Sequence, residues 1–121
     1  MKEKKTLILG ASTNPSRYSY QAANRISRAG HPIVLVGVKN GKVADVEIQN
    51  SVEGVNDIDT VTLYLGEKNQ IAYEDFMLNL SPKRVIFNPG AENPELMQKL
   101  LKKGVEAFEA CTLVMLSTGQ F

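Results

Sequence analysis

The chain has 121 residues, of which 14 are lysine or arginine and 13 are aspartate or glutamate, so its formal net charge is +1 at pH 7. This length fits one domain and excludes a cofactor domain joined to a separate substrate domain. A nearly neutral chain lacks the basic field that attracts nucleic acid, and its apolar runs are too short to cross a membrane. Because Cys111 is the only cysteine, no internal disulfide can form, and the reducing cytoplasm is the expected location.

Short runs of β-branched and aliphatic residues alternate with helical patterns along the chain. Five of these runs are predicted as strands, at 6–9, 33–36, 60–65, 84–87 and 105–108. They are nearly continuously apolar, which is typical of strands covered on both faces in a parallel sheet. Residues 41–58 are predicted as a loop with room for a short strand at 46–48.

Helical patterns fill the intervals between these strands. The first ends at Gly30 and carries alanines on its apolar face, which favours close packing against a sheet. The second ends before Pro82. The third begins at Asn93-Pro94-Glu95, where an N-cap, a first-turn proline and an acidic residue coincide. Residues 111–116 fit either a strand or a short helix.

The alternation of strands and helices predicts the fold class. We expect an α/β, Rossmann-like, doubly wound and mainly parallel five-stranded sheet with helices on both faces. No repeat, low-complexity segment or linker interrupts the pattern, so residues 1–121 are predicted to form a single domain.

The turn after the first predicted strand carries the most informative residues. Gly10 permits a sharp turn, and the small residues Ala11 and Ser12 permit close approach of a ligand. Ser12 and Thr13 add hydroxyl groups, and Arg17 adds a delocalised positive charge. Since helix-start N–H groups favour a phosphate, the turn predicts a phosphate site. The alternative is an ordinary turn in which a serine or asparagine caps the helix.

This turn does not match the dinucleotide fingerprint G-x-G-x-x-G, because Ser12 and Pro15 stand at the second and third glycine positions. A dinucleotide-binding fold also needs an acidic residue after the second strand, for the ribose hydroxyls. Here Lys39 occupies that region, with Lys42 nearby. A cation there suits an additional phosphate, such as the 3′-phosphate of coenzyme A (CoA) or the 2′-phosphate of NADP. The alternative is a solvated loop lysine.

Four motifs follow one another along the chain. They are Gly10-Ala11-Ser12 with Pro15 and Arg17, Gly30-His31, Asn88-Pro89-Gly90-Ala91-Glu92, and Gly104-Val105 leading to Cys111-Thr112-Leu113-Val114. In this order they resemble the small CoA-binding-domain proteins, and the resemblance covers essentially the whole chain. That family shares its fold with the CoA-binding part of the succinyl-CoA synthetase alpha subunit.

The resemblance implies coenzyme A as the cofactor. It implies that residues 10–13 meet the CoA diphosphate with Arg17 close by, and that the loop around Lys39 faces the adenosine end. It also implies that Pro89, Gly90 and Ala91 lie beside the pantetheine. Many relatives have Val-Asn-Pro after the second strand, whereas residues 36–41 read VGVKNG, so this chain departs from the family at the adenosine side.

Cys111 is the candidate nucleophile and redox thiol. One interpretation is a small buried core residue, which is common for a free cysteine. The other is a thiol near the end of the pantetheine arm, able to form a mixed disulfide with CoA, and the family places a cysteine here. His31 precedes a strand and is interpreted as structural. With no other histidine or cysteine, no metal site is predicted.

The sequence therefore favours binding over catalysis. We expect a CoA or acyl-CoA binding protein that serves as a carrier, sensor or regulatory module. The alternatives are an NADP-binding oxidoreductase-like domain and a partner subunit of a larger acyl-CoA ligase. The expected partner is the CoA ligand rather than nucleic acid or membrane, and an exposed sheet edge in so small a domain favours a homodimer.

Overall fold

The computed structural model describes residues 2–121, so Met1 of the predicted domain lies outside the described residues. The strands are β1 (Thr6–Leu9), β2 (Ile33–Val36), β3 (Lys42–Val43), β4 (Val46–Gln49), β5 (Thr60–Leu63), β6 (Arg84–Phe87) and β7 (Glu106–Glu109). The helices are α1 (Tyr18–Arg28), α2 (Glu67–Gln70), α3 (Glu74–Leu80), α4 (Pro94–Lys102) and α5 (Thr112–Ser117), and a 3₁₀ turn (Ile71–Tyr73) joins α2 to α3. Over residues 2–121, every helix is too short or too polar to span a bilayer.

The strands form one sheet in the order β3-β4-β2-β1-β5-β6-β7. All neighbouring pairs are parallel except β3 and β4, which are antiparallel. When the parallel strands alone are numbered along the chain, their order is 3-2-1-4-5-6, which is the strand order of a Rossmann fold. The predicted Rossmann-like, doubly wound α/β fold is therefore confirmed.

The sheet has seven strands rather than the predicted five, because β3 and β4 lie within the segment 41–58, and β4 forms where that segment was given room for a short strand at 46–48. In these two strands Val43 and Ile48 are buried, whereas Lys42 and Glu47 are exposed. This alternation is typical of strands with one solvated face. The criterion of a continuous apolar run therefore could not detect them.

Two apolar layers cover the sheet. On β1 the side chains of Leu7 and Leu9 join the core formed with α3 and α4. The intervening Ile8 joins the core formed with α1 and α5. All three side chains have no exposed surface, as the continuous apolar pattern predicts. Helices on both faces are therefore confirmed.

Several element bounds differ from the prediction. β5 ends at Leu63, two residues early, and helix begins already at Glu67. The segment 111–116, which fitted either structure, forms helix α5 from Thr112 onward. The Asn93 cap is confirmed, since its side chain accepts a hydrogen bond from the Leu96 N–H at 3.1 Å.

The two outermost strands of the sheet, β3 and β7, are poorly suited to pairing with a strand of another molecule. β3 is two residues long, and β7 carries exposed glutamates at both ends, Glu106 and Glu109. Short strands and charged side chains are the usual ways in which edges avoid association. The expected homodimer stays a prediction, and edge pairing is a weak route to it.

Candidate functional site

The residues predicted to bind a ligand lie at one edge of the sheet. The turn at Gly10 follows β1, the loop at Lys39 follows β2, the loop at Pro89 follows β6, and Cys111 follows β7. Because these strands are parallel and adjoin through β5, their carboxyl ends line the same edge. Ligands of open α/β sheets bind at this edge, beside the point where the chain switches from one face to the other.

Gly10 starts the turn with a φ of +101°, a conformation that other residues rarely adopt. A Cβ at this position would also lie 3.0 Å from the main-chain carbon of Tyr64 and 3.1 Å from its oxygen. The turn therefore packs directly against the segment that leaves β5. Both backbone angle and space explain the glycine.

The loop after β2 packs onto the same turn. The N–H groups of Gly10 and Ala11 both donate to the Val36 carbonyl oxygen at 2.9 Å. A Cβ at Gly37 would overlap the carbonyl oxygen of Ala11, so the turn and the loop approach at main-chain distance. A Cβ at Gly41 would overlap the methyl group of Thr13. The VGVKNG segment departs from the family pattern, and its two glycines allow it to pack closely against the turn.

The polar side chains of the turn stabilise the turn itself. Ser12 Oγ accepts from the Asn14 N–H at 3.0 Å. Asn14 Oδ1 accepts from the Ser16 N–H at 3.0 Å and from its hydroxyl at 2.8 Å. The residue before α1 is Arg17, and no side chain caps this helix among the described residues. The alternative of a turn whose serine or asparagine caps the helix is therefore not what the structure shows.

The turn leaves its outer groups available to solvent. None of the main-chain hydrogen bonds found in residues 2–121 uses the N–H of Ser12 or Thr13. Arg17 and Lys39 are exposed, and neither forms an ion pair with any described residue. Two N–H groups and two cations are thus free beside the uncapped start of a helix, an arrangement that favours an anion.

The loop after β6 reaches the same edge as a tight turn. Pro89 and Gly90 are exposed, whereas Ala91 is buried and donates its N–H to the Asn88 carbonyl oxygen at 2.8 Å. Gly90 has a φ of +93°, and its N–H donates to the carboxylate of Glu92 at 2.9 Å. Glu92 therefore supports this loop.

Asn88 ties three elements together beneath this loop. Its amide nitrogen donates to Thr62 Oγ1 at 2.8 Å and to the Leu63 carbonyl oxygen at 2.9 Å. Its amide oxygen accepts from the Thr112 N–H at 2.8 Å, and the Thr62 and Thr112 hydroxyls are 2.8 Å apart. The ends of β5 and β6 and the start of α5 are thus fixed by one buried side chain. Asn88 appeared in the sequence only as part of a motif, and its position directly after an apolar strand was the available signal.

The sequence matches the model of the CoA binding domain family over residues 4–117. This range covers nearly the whole chain and includes all four edge positions. The chain belongs to the CoA binding domain family. No curated protein matches this sequence.

Solved structures support the same assignment of fold. A crystal structure of an uncharacterized protein is 48% identical to this CoA binding domain, with a TM-score of 0.95 and full coverage of both chains. A protein described as cell-free ID.343 from Thermus thermophilus is 19% identical with a TM-score of 0.86, covering 98% of this chain and 91% of its own. The dinucleotide-forming acetyl-coenzyme A synthetase 1 from Ca. Korarchaeum cryptofilum, in its apo form, is 14% identical with a TM-score of 0.70. That match covers 87% of this chain and 25% of the synthetase.

Cys111 lies at the far end of the edge in this CoA binding domain. It is half-buried and immediately precedes α5, so it is neither a fully buried core residue nor a fully exposed thiol. The Tyr64 hydroxyl lies nearby, is buried, and has no hydrogen-bond partner among residues 2–121. Burial raises the pKa of Tyr64 to about 12. No local feature of the sequence marks this tyrosine, because the burial of its hydroxyl depends on the tertiary structure.

A shallow groove of about 400 Å³ runs along α1 between Tyr20 and Arg28. None of the predicted site residues line it. The candidate site at the carboxyl edge is therefore separate from this groove.

Proposed function

We propose that this CoA binding domain binds CoA or an acyl-CoA along the carboxyl edge of its sheet. The diphosphate lies at the turn of residues 10–13 beside Arg17, and the adenosine end lies at Lys39. The pantetheine passes Pro89–Ala91 toward Cys111. This assignment carries the family resemblance onto the observed edge.

One observation carries the proposal: the loop that bears Lys39 packs against the turn that holds free N–H groups. Gly37 and Gly41 permit this contact with Ala11 and Thr13. A ligand with both a diphosphate and an additional phosphate on its ribose would meet N–H groups and a cation within one short surface. CoA has this charge pattern.

The length of the edge also favours a long, narrow ligand. The positions run from β2 to β7 through four strand spacings. At roughly 4.8 Å per spacing the edge spans about 19 Å. A mononucleotide occupies only part of that distance, whereas CoA carries an extended arm beyond its diphosphate.

We infer a binding role rather than a catalytic one, as a carrier, sensor or regulatory module in the cytoplasm. The edge offers N–H groups, hydroxyls and cations, which hold an anion. The carboxylate nearest the pantetheine loop, Glu92, is engaged by the Gly90 N–H. It is therefore held as a support for that loop.

Thermal unfolding with CoA, acetyl-CoA, NADP and NAD tests the proposal. A ligand at one hundred times its Kd stabilises the native state by about 2.7 kcal/mol. We expect CoA to raise the Tm clearly more than NAD at equal concentration. Equal or greater stabilisation by NAD would contradict the proposal.

Lys39 also favours the second candidate, an NADP-binding oxidoreductase-like domain, since a 2′-phosphate would satisfy the same cation. Greater stabilisation by NADP than by CoA would select it. The fold shared with part of the Korarchaeum synthetase favours a third, a partner subunit of an acyl-CoA ligase. Micromolar CoA binding by the isolated chain argues for the independent module.

Cys111 tests where the pantetheine ends. Attack of its thiolate on CoA disulfide forms a Cys111–CoA disulfide and releases one CoA thiolate, so no other oxidant is required. Bound CoA supplies a high effective concentration. We expect mass spectrometry to detect one added CoA that reductant removes, and no adduct in Cys111→Ser. Reversible CoA binding without any adduct would assign Cys111 to packing alone.

A further inference from the structure

A buried amide joins two segments of the candidate site. Gln70, at the end of α2, has no exposed surface. Its Nε2 donates to the Leu65 carbonyl oxygen at 2.8 Å and to the Ala91 carbonyl oxygen at 2.7 Å. One side chain thus connects the segment after β5 with the loop after β6.

The remaining atom of this amide extends the connection to α4. Gln70 Oε1 accepts from Asn93 Nδ2 at 2.9 Å, and Asn93 Oδ1 caps the helix through the Leu96 N–H. Every polar atom of the Gln70 amide is therefore used. Because two of its partners are carbonyl oxygens, the site requires a donor pair, which a glutamate could not supply.

The two connected segments face each other across a narrow gap. A Cβ on Gly66 would lie 4.0 Å from the carbonyl oxygen of Gly90. This is an ordinary van der Waals separation, so the loops stand about one side-chain atom apart. Both glycines are exposed, and the gap opens at the edge where the strands end.

We propose that Gln70 is a positioning residue that fixes the spacing between the 65–66 segment and the 89–91 loop so that the edge receives the pantetheine arm. The identity of the arm rests on the proposed function. Gln70 is fully buried, so it acts through the carbonyl groups that it holds. A purely stabilising role would instead affect every part of the ligand equally.

The test compares CoA with adenosine 3′,5′-bisphosphate, which keeps the nucleotide end and lacks pantetheine. Gln70→Met has similar length and cannot form the three hydrogen bonds. By titration calorimetry we expect about a tenfold loss of affinity for CoA and less than a twofold change for the bisphosphate. Equal losses for both ligands, or no loss for either, would overturn the proposal. Asn69→Met, at an exposed neighbour on the same helix, serves as the control.

Asn93→Ser provides a milder variant if Gln70→Met folds poorly. Serine keeps a hydroxyl to cap α4 but is too short to reach Gln70, and we expect about a threefold loss that is specific to CoA. Hydrogen exchange of the ligand-free protein should show faster exchange at 65–66 and 89–91 in Gln70→Met. Unchanged exchange there would also overturn the proposal. If the unmodified protein binds neither ligand, the proposed function fails, and the exchange result still decides whether Gln70 holds the two segments.

Discussion

The parallel strands have an amino edge, where they begin, and a carboxyl edge, where they end, and the positively charged side chains at these two edges differ in their partners. At the amino edge, Arg84 Nε donates to Thr60 Oγ1 at 2.8 Å, and Nη2 donates to the main-chain oxygen of Phe121 at 2.7 Å. The Lys4 N–H donates to His31 Nδ1 at 3.0 Å, and Lys4 Nζ donates to the same Phe121 oxygen. At the carboxyl edge, Arg17 and Lys39 are exposed and form no ion pair with any described residue.

Aromatic contacts complete the amino edge. The Arg84 guanidinium lies 4.5 Å from the centre of the Phe121 ring, and His31 packs against the same ring at 5.3 Å. Charges satisfied in this way stabilise the fold and offer little to a ligand. Charges left without a partner at the carboxyl edge remain available to an anion. The amino edge therefore stabilises the fold, and we propose that the carboxyl edge binds the ligand.

The largest effect is expected from Ser12→Asp at the carboxyl edge. Aspartate can still accept the Asn14 N–H, so the turn keeps its local bond while a negative charge meets the diphosphate. We expect CoA affinity to fall roughly a hundredfold, or ~2.7 kcal/mol, by titration calorimetry. Ser12→Asn is the matched neutral control and should lose far less. Unchanged affinity, with an intact fold by circular dichroism, would show that the phosphates bind elsewhere.

Arg84→Met should lower the stability of the protein and leave its affinity for CoA unchanged. It removes two hydrogen bonds and the contact with the Phe121 ring, and we expect about 2 kcal/mol lower free energy of unfolding in urea. The Kd for CoA should stay within twofold. Lys83→Met, at an exposed neighbour 3.9 Å from Asp59, is the control and should cost less than about 0.5 kcal/mol. A loss of CoA affinity in Arg84→Met would contradict the proposal that the amino edge stabilises the fold and the carboxyl edge binds the ligand.

His31 gives the amino edge a pH dependence. Burial, with the positive charges of Lys4 and Arg84, holds the pKa of His31 below its ordinary value. The unfolded chain therefore takes up a proton first, and this contribution to stability, present above about pH 6.5, is lost as the pH falls through the folded pKa. We expect His31→Gln to flatten the decline of unfolding free energy below pH 6.5. An unchanged slope would show that other groups cause it.

Lys39→Gln should give the smallest effect, because the side chain is exposed. We expect about a threefold loss of CoA affinity, ~0.7 kcal/mol, and no change for dephospho-CoA, which lacks the 3′-phosphate. Lys103→Gln, an exposed lysine after α4, controls for net charge. Equal losses for the two ligands would place the 3′-phosphate away from Lys39.

The sequence predicts this fold because its signals are local. Continuous apolar runs mark the buried parallel strands, and Asn93-Pro94 marks the start of α4. β3 and β4 show no continuous apolar run because they alternate buried and exposed residues, so β3 was missed and β4 was expected only as a short strand at 46–48. Residues 111–116 fit either a strand or a helix from sequence alone. Tertiary contacts, such as those between α5 and α1, decide between the two.

In the candidate site, too, some features can be predicted from the local sequence and others depend on tertiary contacts. The turn at Gly10 is contiguous in sequence, so a phosphate site there can be proposed from residue types alone. The supports of the site, Asn88 and Gln70, each bond to a partner more than twenty residues away, and these long-range bonds cannot be read from the local sequence. Gly37 was noted only as a departure from the family, and its close approach to Ala11 gives that departure a structural reason.

Amide hydrogen exchange with and without CoA tests most directly whether the ligand binds at the carboxyl edge and leaves the amino edge unchanged. We predict protection on CoA binding at residues 10–13, 37–41, 89–91 and 111–112, with little change around Lys4, His31 and Arg84. Protection centred on the amino edge, or spread evenly over both edges, would contradict the account.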